Sequence, residues 1–166
     1  MSLPDTTDGY ALGPDDGEAL WFNGGLGTLK ATAEQTHGRF AAYELRIPKG
    51  FAAPLHSHAN EDEFFIVLAG EVRLQHGDDV VEATAGSFAY TPRGVGHSFH
   101  VDSDDAKLLL FFGPAGVENF FRDVATPARW FGPPPADEPR KDRDTLLELM
   151  ARHGQTVLGP PLGSKG

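Results

Sequence analysis

No cysteine occurs in this 166-residue chain. Its absence excludes a disulfide framework, a thiolate nucleophile and a cysteine-built zinc finger. Basic residues are scarce as well: 14 Lys and Arg stand against 24 Asp and Glu, a formal charge of -10. Nucleic-acid affinity comes mainly from cations on phosphates, and no basic stripe is present, so nucleic acids and anionic membrane surfaces are poor partners. No apolar run nears the roughly 20 residues that span a bilayer. The opening MSLPDTTDGY carries neither a basic start nor an apolar stretch, so no secretory signal is expected and the cytoplasm is the expected compartment. No internal repeat is found.

What is abundant is turn chemistry. With 20 Gly and 13 Pro beside 40% hydrophobic residues, the composition suits a compact all-β protein better than a helical bundle or a disordered chain. Residues 1–18 read as a loose polar arm that packs on the surface or swaps onto a partner. Residues 19–125 read as the main domain. Short β-like runs recur there between turn signals: TLKATA, RFAAYELRIP, EFFIVLAG, EVRLQH, VVEATA, SFAYTP, HSFHV and KLLLFF. His76-Gly77-Asp78-Asp79 suits a tight hairpin. Residues 126–166 read as a Pro-rich connector and a C-terminal helix. Helical spacing is expected in GVENFFRDVA and again in DRDTLLELMARHG, which ends in a Gly stop; the apolar residues of the latter call for docking on the barrel. Gly24-Gly25-Leu26-Gly27 lacks a following Lys-Ser/Thr and a helix, so it reads as a strand turn rather than a phosphate loop.

His56, His58, Glu63 and His97 carry the chemical signal. Side chains two apart on a strand share a face, so His56 and His58 can point together if the segment is extended, a conformation that Pro54 favours. Glu63 opens the strand EFFIVL after the turn ANED, and His97 opens HSFHV after Pro92-Arg93-Gly94. Three neutral imidazoles and a carboxylate suit one divalent transition ion (Fe, Mn, Ni, Cu, Co or Zn) better than Ca or Mg. Glu61 and Asp62 are competing carboxylates at this point.

The chain is identified from these residues as a member of the cupin superfamily. Its first motif reads Gly50, five residues, His56, one, His58, four, Glu63, six, Gly70; its second reads Gly86, five, Pro92, one, Gly94, two, His97. Where the family's second motif ends in Asn after three further residues, this chain has Val101, a position that is not a ligand. The resemblance covers about residues 20–125. It implies a cupin jelly-roll β-barrel with C-terminal helices packed outside, the four residues as metal ligands, and Glu61 and Asp62 as solvated rim residues. HANEDEFFIVLAGEV, PRGVGHSF and GPAGVENFFRDVATPARW further resemble bacterial single-domain cupins grouped with quercetin 2,3-dioxygenase. That likeness implies a metal-dependent dioxygenase acting on a small aromatic or enolic substrate with dioxygen, in which catalytic Glu63 also accepts an enolic proton. Similar barrels act as isomerases, cyclases or decarboxylases, or bind a small ligand without catalysis. They often form homodimers through sheet edges, here through the stretch around Ala19 to Ala33.

The other histidines have ordinary readings. His100 has the opposite parity to His97 and should face away, His76 belongs to a hairpin tip, and His37 and His153 lie at element ends; all four read as surface or capping residues. Among the aromatics, Phe65 and Phe99 are expected to face the metal side.

Overall fold

The computed structural model describes residues 2–5 and 8–163. Parts of the expected arm and C-terminal segment, residues 1, 6–7 and 164–166, lie outside the described residues. In chain order the elements are β1 (Glu18–Phe22), β2 (Gly25–Ala31), α1 (Ala33–Thr36), β3 (Ala41–Pro48), β4 (Pro54–His58), β5 (Asp62–Ala69), β6 (Glu71–His76), β7 (Asp79–Thr84), β8 (Phe88–Thr91), β9 (His97–Val101), β10 (Asp105–Gly113), α2 (Glu118–Val124), β11 (Thr126–Pro127), α3 (Arg143–Arg152) and β12 (Gln155–Pro161). The strands form two antiparallel sheets, ordered β11-β1-β2-β3-β10-β5-β8 and β12-β4-β9-β6-β7. This is the jelly-roll arrangement expected from the sequence.

Alternation explains the pairing. Ala106, Leu108, Leu110 and Phe112 of β10 are buried, while Lys107, Leu109 and Phe111 between them are only partly so; on β5 Glu63, Phe65 and Val67 are the buried set. The inner faces meet in one core, with Val67 and Leu108 from the larger sheet against Val72, Leu74 and Val101 from the smaller. Two glycines are required by this packing. Gly70, between β5 and β6, sits at φ 86, and a Cβ there would meet the Asp105 carbonyl oxygen at 2.5 Å. Gly27 on β2 leaves room for the fully buried Tyr43, whose Oη would lie 1.7 Å from an added Cβ.

The N-terminal arm docks on its own chain. Lys30 and Arg46 both donate to the Pro14 carbonyl, at 3.1 Å each, and the Tyr10 hydroxyl donates to the Lys30 carbonyl at 2.6 Å. In the stretch around Ala19 to Ala33, β1 pairs with β2 along its length and with β11 at Leu20 and Trp21. α2 and α3 form where the sequence places helices. The Asp142 carboxylate caps α3 by accepting from the Thr145 amide at 2.8 Å, and Gly154 follows its end at φ 74.

The C-terminal segment departs from expectation. After α3 the chain continues as β12, paired along β4. Pro160 and Pro161 argue against a central strand, but β12 is an edge strand, where proline is tolerated. No helix among the described residues is long and apolar enough to cross a membrane.

Candidate metal centre

His56, His58, Glu63 and His97 converge in the space between the sheets. Both histidines of PLHSH face inward from β4 and His97 stands directly opposite His56 on β9, so the smaller sheet supplies the three imidazoles. Glu63 comes from β5 of the larger sheet. One donor atom from each residue lies within 4.8 Å of every other, and all four residues are at most 9% exposed. The ring centroids of His56 and His97 are 4.4 Å apart, those of His56 and His58 5.1 Å.

Two of the three imidazoles have a backbone acceptor behind them. His56 Nδ1 lies 2.8 Å from the Pro54 carbonyl oxygen and His97 Nδ1 3.1 Å from that of Val95. A ring that donates from Nδ1 keeps the Nε2 lone pair for the centre of the cluster, as metal-ligating histidines do. His58 Nδ1 has Glu61 Oε2 at 3.5 Å, outside hydrogen-bonding geometry. Glu61 therefore corrects the sequence expectation: it is not a solvated rim residue but 4% exposed, folded inward by the turn in which Ala59 donates to the Gly154 carbonyl. Asp62 does lie at the rim, where Arg93 donates to it at 3.0 Å.

The electrostatics are those of a site that wants a cation. Glu63 Oε2 approaches His97 Nε2 to 2.6 Å, yet neither atom has a partner in hydrogen-bonding geometry among the described residues. Burial alone would raise the Glu63 carboxyl, but the adjacent imidazoles, His97 foremost, outweigh it and hold the group down at about 2. Burial likewise pulls His97 down, and the Glu63 carboxylate overrides it, so His97 holds its proton above the usual histidine range. His56 is driven to about 4 by burial first and then by its histidine neighbours. Buried donors and acceptors left unpaired in this way are costly, and a divalent ion would satisfy Glu63 Oε2 and His97 Nε2 together. The chemistry of the donor set thus fits a metal ion.

The cluster opens on a cavity of about 830 Å³ whose walls are mostly apolar. Phe65 and Phe99 line it as expected, their ring centroids 5.4 Å apart. The C-terminal segment builds one wall: Leu146, Leu147 and Met150 of α3 and Val157 of β12 face the space. The helix expected outside the barrel thereby also shapes its interior.

Two other histidine expectations change. His76 is not a free hairpin tip; it pairs in register with His97, lines the cavity, and its Nδ1 lies 3.0 Å from Thr91 Oγ1. His100 faces away from the site as expected, but it is buried, with Arg73 and Asp102 each 3.2 Å from its Nδ1. His37 and His153 do cap helix ends, the latter against Asp123 at 2.8 Å. Gln155 also lines the cavity, although nothing in its local sequence marks it.

Residues 43–113, which hold all four donors, match the cupin domain family. Both motifs and the two-sheet fold agree with this match to the cupins. Within them it resembles the quercetin dioxygenase group: it is 28% identical over 125 residues to quercetin 2,3-dioxygenase of Bacillus subtilis (strain 168), an alignment covering 75% of this chain and 37% of that protein. The chain thus spans little more than a third of that curated relative's length. Among solved structures it is similar in fold to an RmlC-like cupin from Shewanella frigidimarina, with TM-score 0.54, 18% identity, and 61% and 88% of the two chains covered. A predicted oxalate decarboxylase from Thermotoga maritima is similar too, with TM-score 0.54, 22% identity, and 61% and 94% covered.

Proposed function

We propose that this protein is a metal-dependent oxidoreductase, a dioxygenase acting on a small aromatic or enolic molecule, with His56, His58, Glu63 and His97 holding one divalent transition ion. The observation that carries the reading is the placement of the donor cluster on the wall of a large cavity lined by aromatic and aliphatic side chains. A dianion as small as oxalate would leave most of about 830 Å³ unfilled. Outside the imidazoles, the one cation among the lining residues is Arg143, which is exposed. When bound, the ion supplies Lewis acidity and a site for dioxygen.

The residues of the chain do the rest. Glu63, buried and ionised at neutral pH, is placed to accept a proton. The phenylalanine walls exclude water and hold an aromatic ring, while Pro54 and Val95 keep their histidines in the ligating tautomer.

The test is elemental analysis of purified protein, then oxygen uptake with flavonols and other enols. One transition ion per chain and uptake with an enol are expected. Protein without stoichiometric metal sinks the site, and full metal without uptake points instead to an isomerase, cyclase or decarboxylase, or to a binding protein. Glu63→Gln is expected to lower turnover by about 10²- to 10⁴-fold; turnover that survives with metal retained removes Glu63 as the base. Glu61 should act through His58. Glu61→Ala is expected to weaken metal binding about 10- to 100-fold in a chelator competition without changing the fold.

A further inference from the structure

β12 lies outside the cupin-matched residues, yet it places two side chains against the metal-facing row of β4. In register, Gln155 stands opposite His58 and Val157 opposite His56. Directly opposed residues on antiparallel strands project from the same face, about 5 Å apart. Val157 continues the apolar wall. Gln155 does something different: it is 5% exposed, lines the cavity, and its Nε2 has no hydrogen-bond partner among the described residues. A buried amide donor left open beside a donor cluster, in a cavity walled mostly by apolar side chains, can take an acceptor from outside the chain.

We propose that Gln155 is the substrate-recognising residue of this site, donating from Nε2 to an oxygen of a planar aromatic α-hydroxyketone or enol whose ring lies among Phe51, Phe65 and Phe99. This deepens the dioxygenase reading and rests on it for the presence of an oxygenated substrate beside the metal ligands. Phe51 and Phe99 are stacked, 14° apart in plane with centroids at 5.8 Å, and both line the cavity, so an aromatic ring can pack against them. The division of labour follows from the chemistry. The rings select a planar hydrocarbon body, and Gln155 demands an acceptor oxygen at the edge nearest His58. A site built to hydrogen-bond an oxygen rejects analogues that lack it, because its own donor is then buried unpaired.

The experiment is anaerobic binding, so that turnover plays no part. Titrate the purified, metal-containing protein with 3-hydroxyflavone, read by its fluorescence, and with naphthalene as an oxygen-free aromatic. Compare wild type with Gln155→Leu and Gln155→Met, two variants of similar volume, so that one serves if the other does not fold. The expected result is a loss of about tenfold or more in 3-hydroxyflavone affinity, with naphthalene binding and metal content unchanged. Equal affinity of variant and wild type for 3-hydroxyflavone overturns the role of Gln155. A parallel loss for naphthalene makes Gln155 a packing residue, and a loss of metal makes it a support of His58 and Glu61; either outcome overturns the proposal. Wild type that does not bind 3-hydroxyflavone overturns the ligand class. Failure of the dioxygenase reading looks different: binding discriminates as expected, but oxygen is not consumed when air is admitted.

Discussion

Gly27→Ala is expected to be the most damaging single-methyl change in the molecule. The new Cβ would lie 1.7 Å from Tyr43 Oη and 2.1 Å from Tyr43 Cζ, well inside any permissible contact. Tyr43 cannot retreat, since it is fully buried and its ring stacks on Phe121 with centroids 4.0 Å apart. Overpacking a tight core costs about 1–3 kcal/mol where neighbours can adjust, and here the neighbour is a buried, stacked ring. Chemical denaturation should show a loss at or above the top of that range. Tyr43→Phe should not rescue it, because the ring carbon clashes as well, whereas Tyr43→Leu in the same chain should recover part of the loss. A Gly27→Ala protein with wild-type stability would mean that β2 and β3 do not approach as closely as described.

In chelator-treated protein, stability should fall as the pH drops from about 6.5 towards 4. The sign follows from His56, whose folded value of about 4 lies below its ordinary 6.5. Between these values the unfolded chain binds the proton and the folded chain does not, so acid favours unfolding, by up to about 3 kcal/mol across the window. Glu63 acts lower down. Its carboxyl is depressed from 4.5 to about 2, so its contribution is complete above 4.5 and disappears only as the pH falls towards 2. His97 acts on the other side: raised in the fold, it contributes fully below 6.5 and loses that contribution as the pH rises through its folded value. A melting temperature flat from pH 6.5 to 4.5 would refute the assignment to His56. His56→Asn should flatten the curve if the assignment holds.

How much of this was legible in the sequence differs by residue. The strands with strict alternation, such as EFFIVL and KLLLFF, were plain, because a half-buried strand writes its burial into every second letter. The four donors were legible because motif glycines and a proline fix the turns that aim them. Glu61 was not, since whether a turn residue points to solvent or inward depends on a hydrogen bond between Ala59 and Gly154, nearly a hundred residues away in sequence. His76 was assigned to a hairpin tip, and its cross-sheet neighbour Thr91 cannot be read locally. β12 was hidden by Gly159, Pro160 and Pro161, which deny a strand everywhere except at a sheet edge. Gln155 was hidden with it.

The donors are divided unevenly, with three on β4 and β9 and one on β5 of the opposite sheet. A bound ion would therefore be a strut between two walls, and the distance between those walls is set by the core side chains that prop them apart, Leu110 and Phe112 among them. Ion preference and core volume become one variable: trimming a prop that is itself no donor should retune which ion the protein holds.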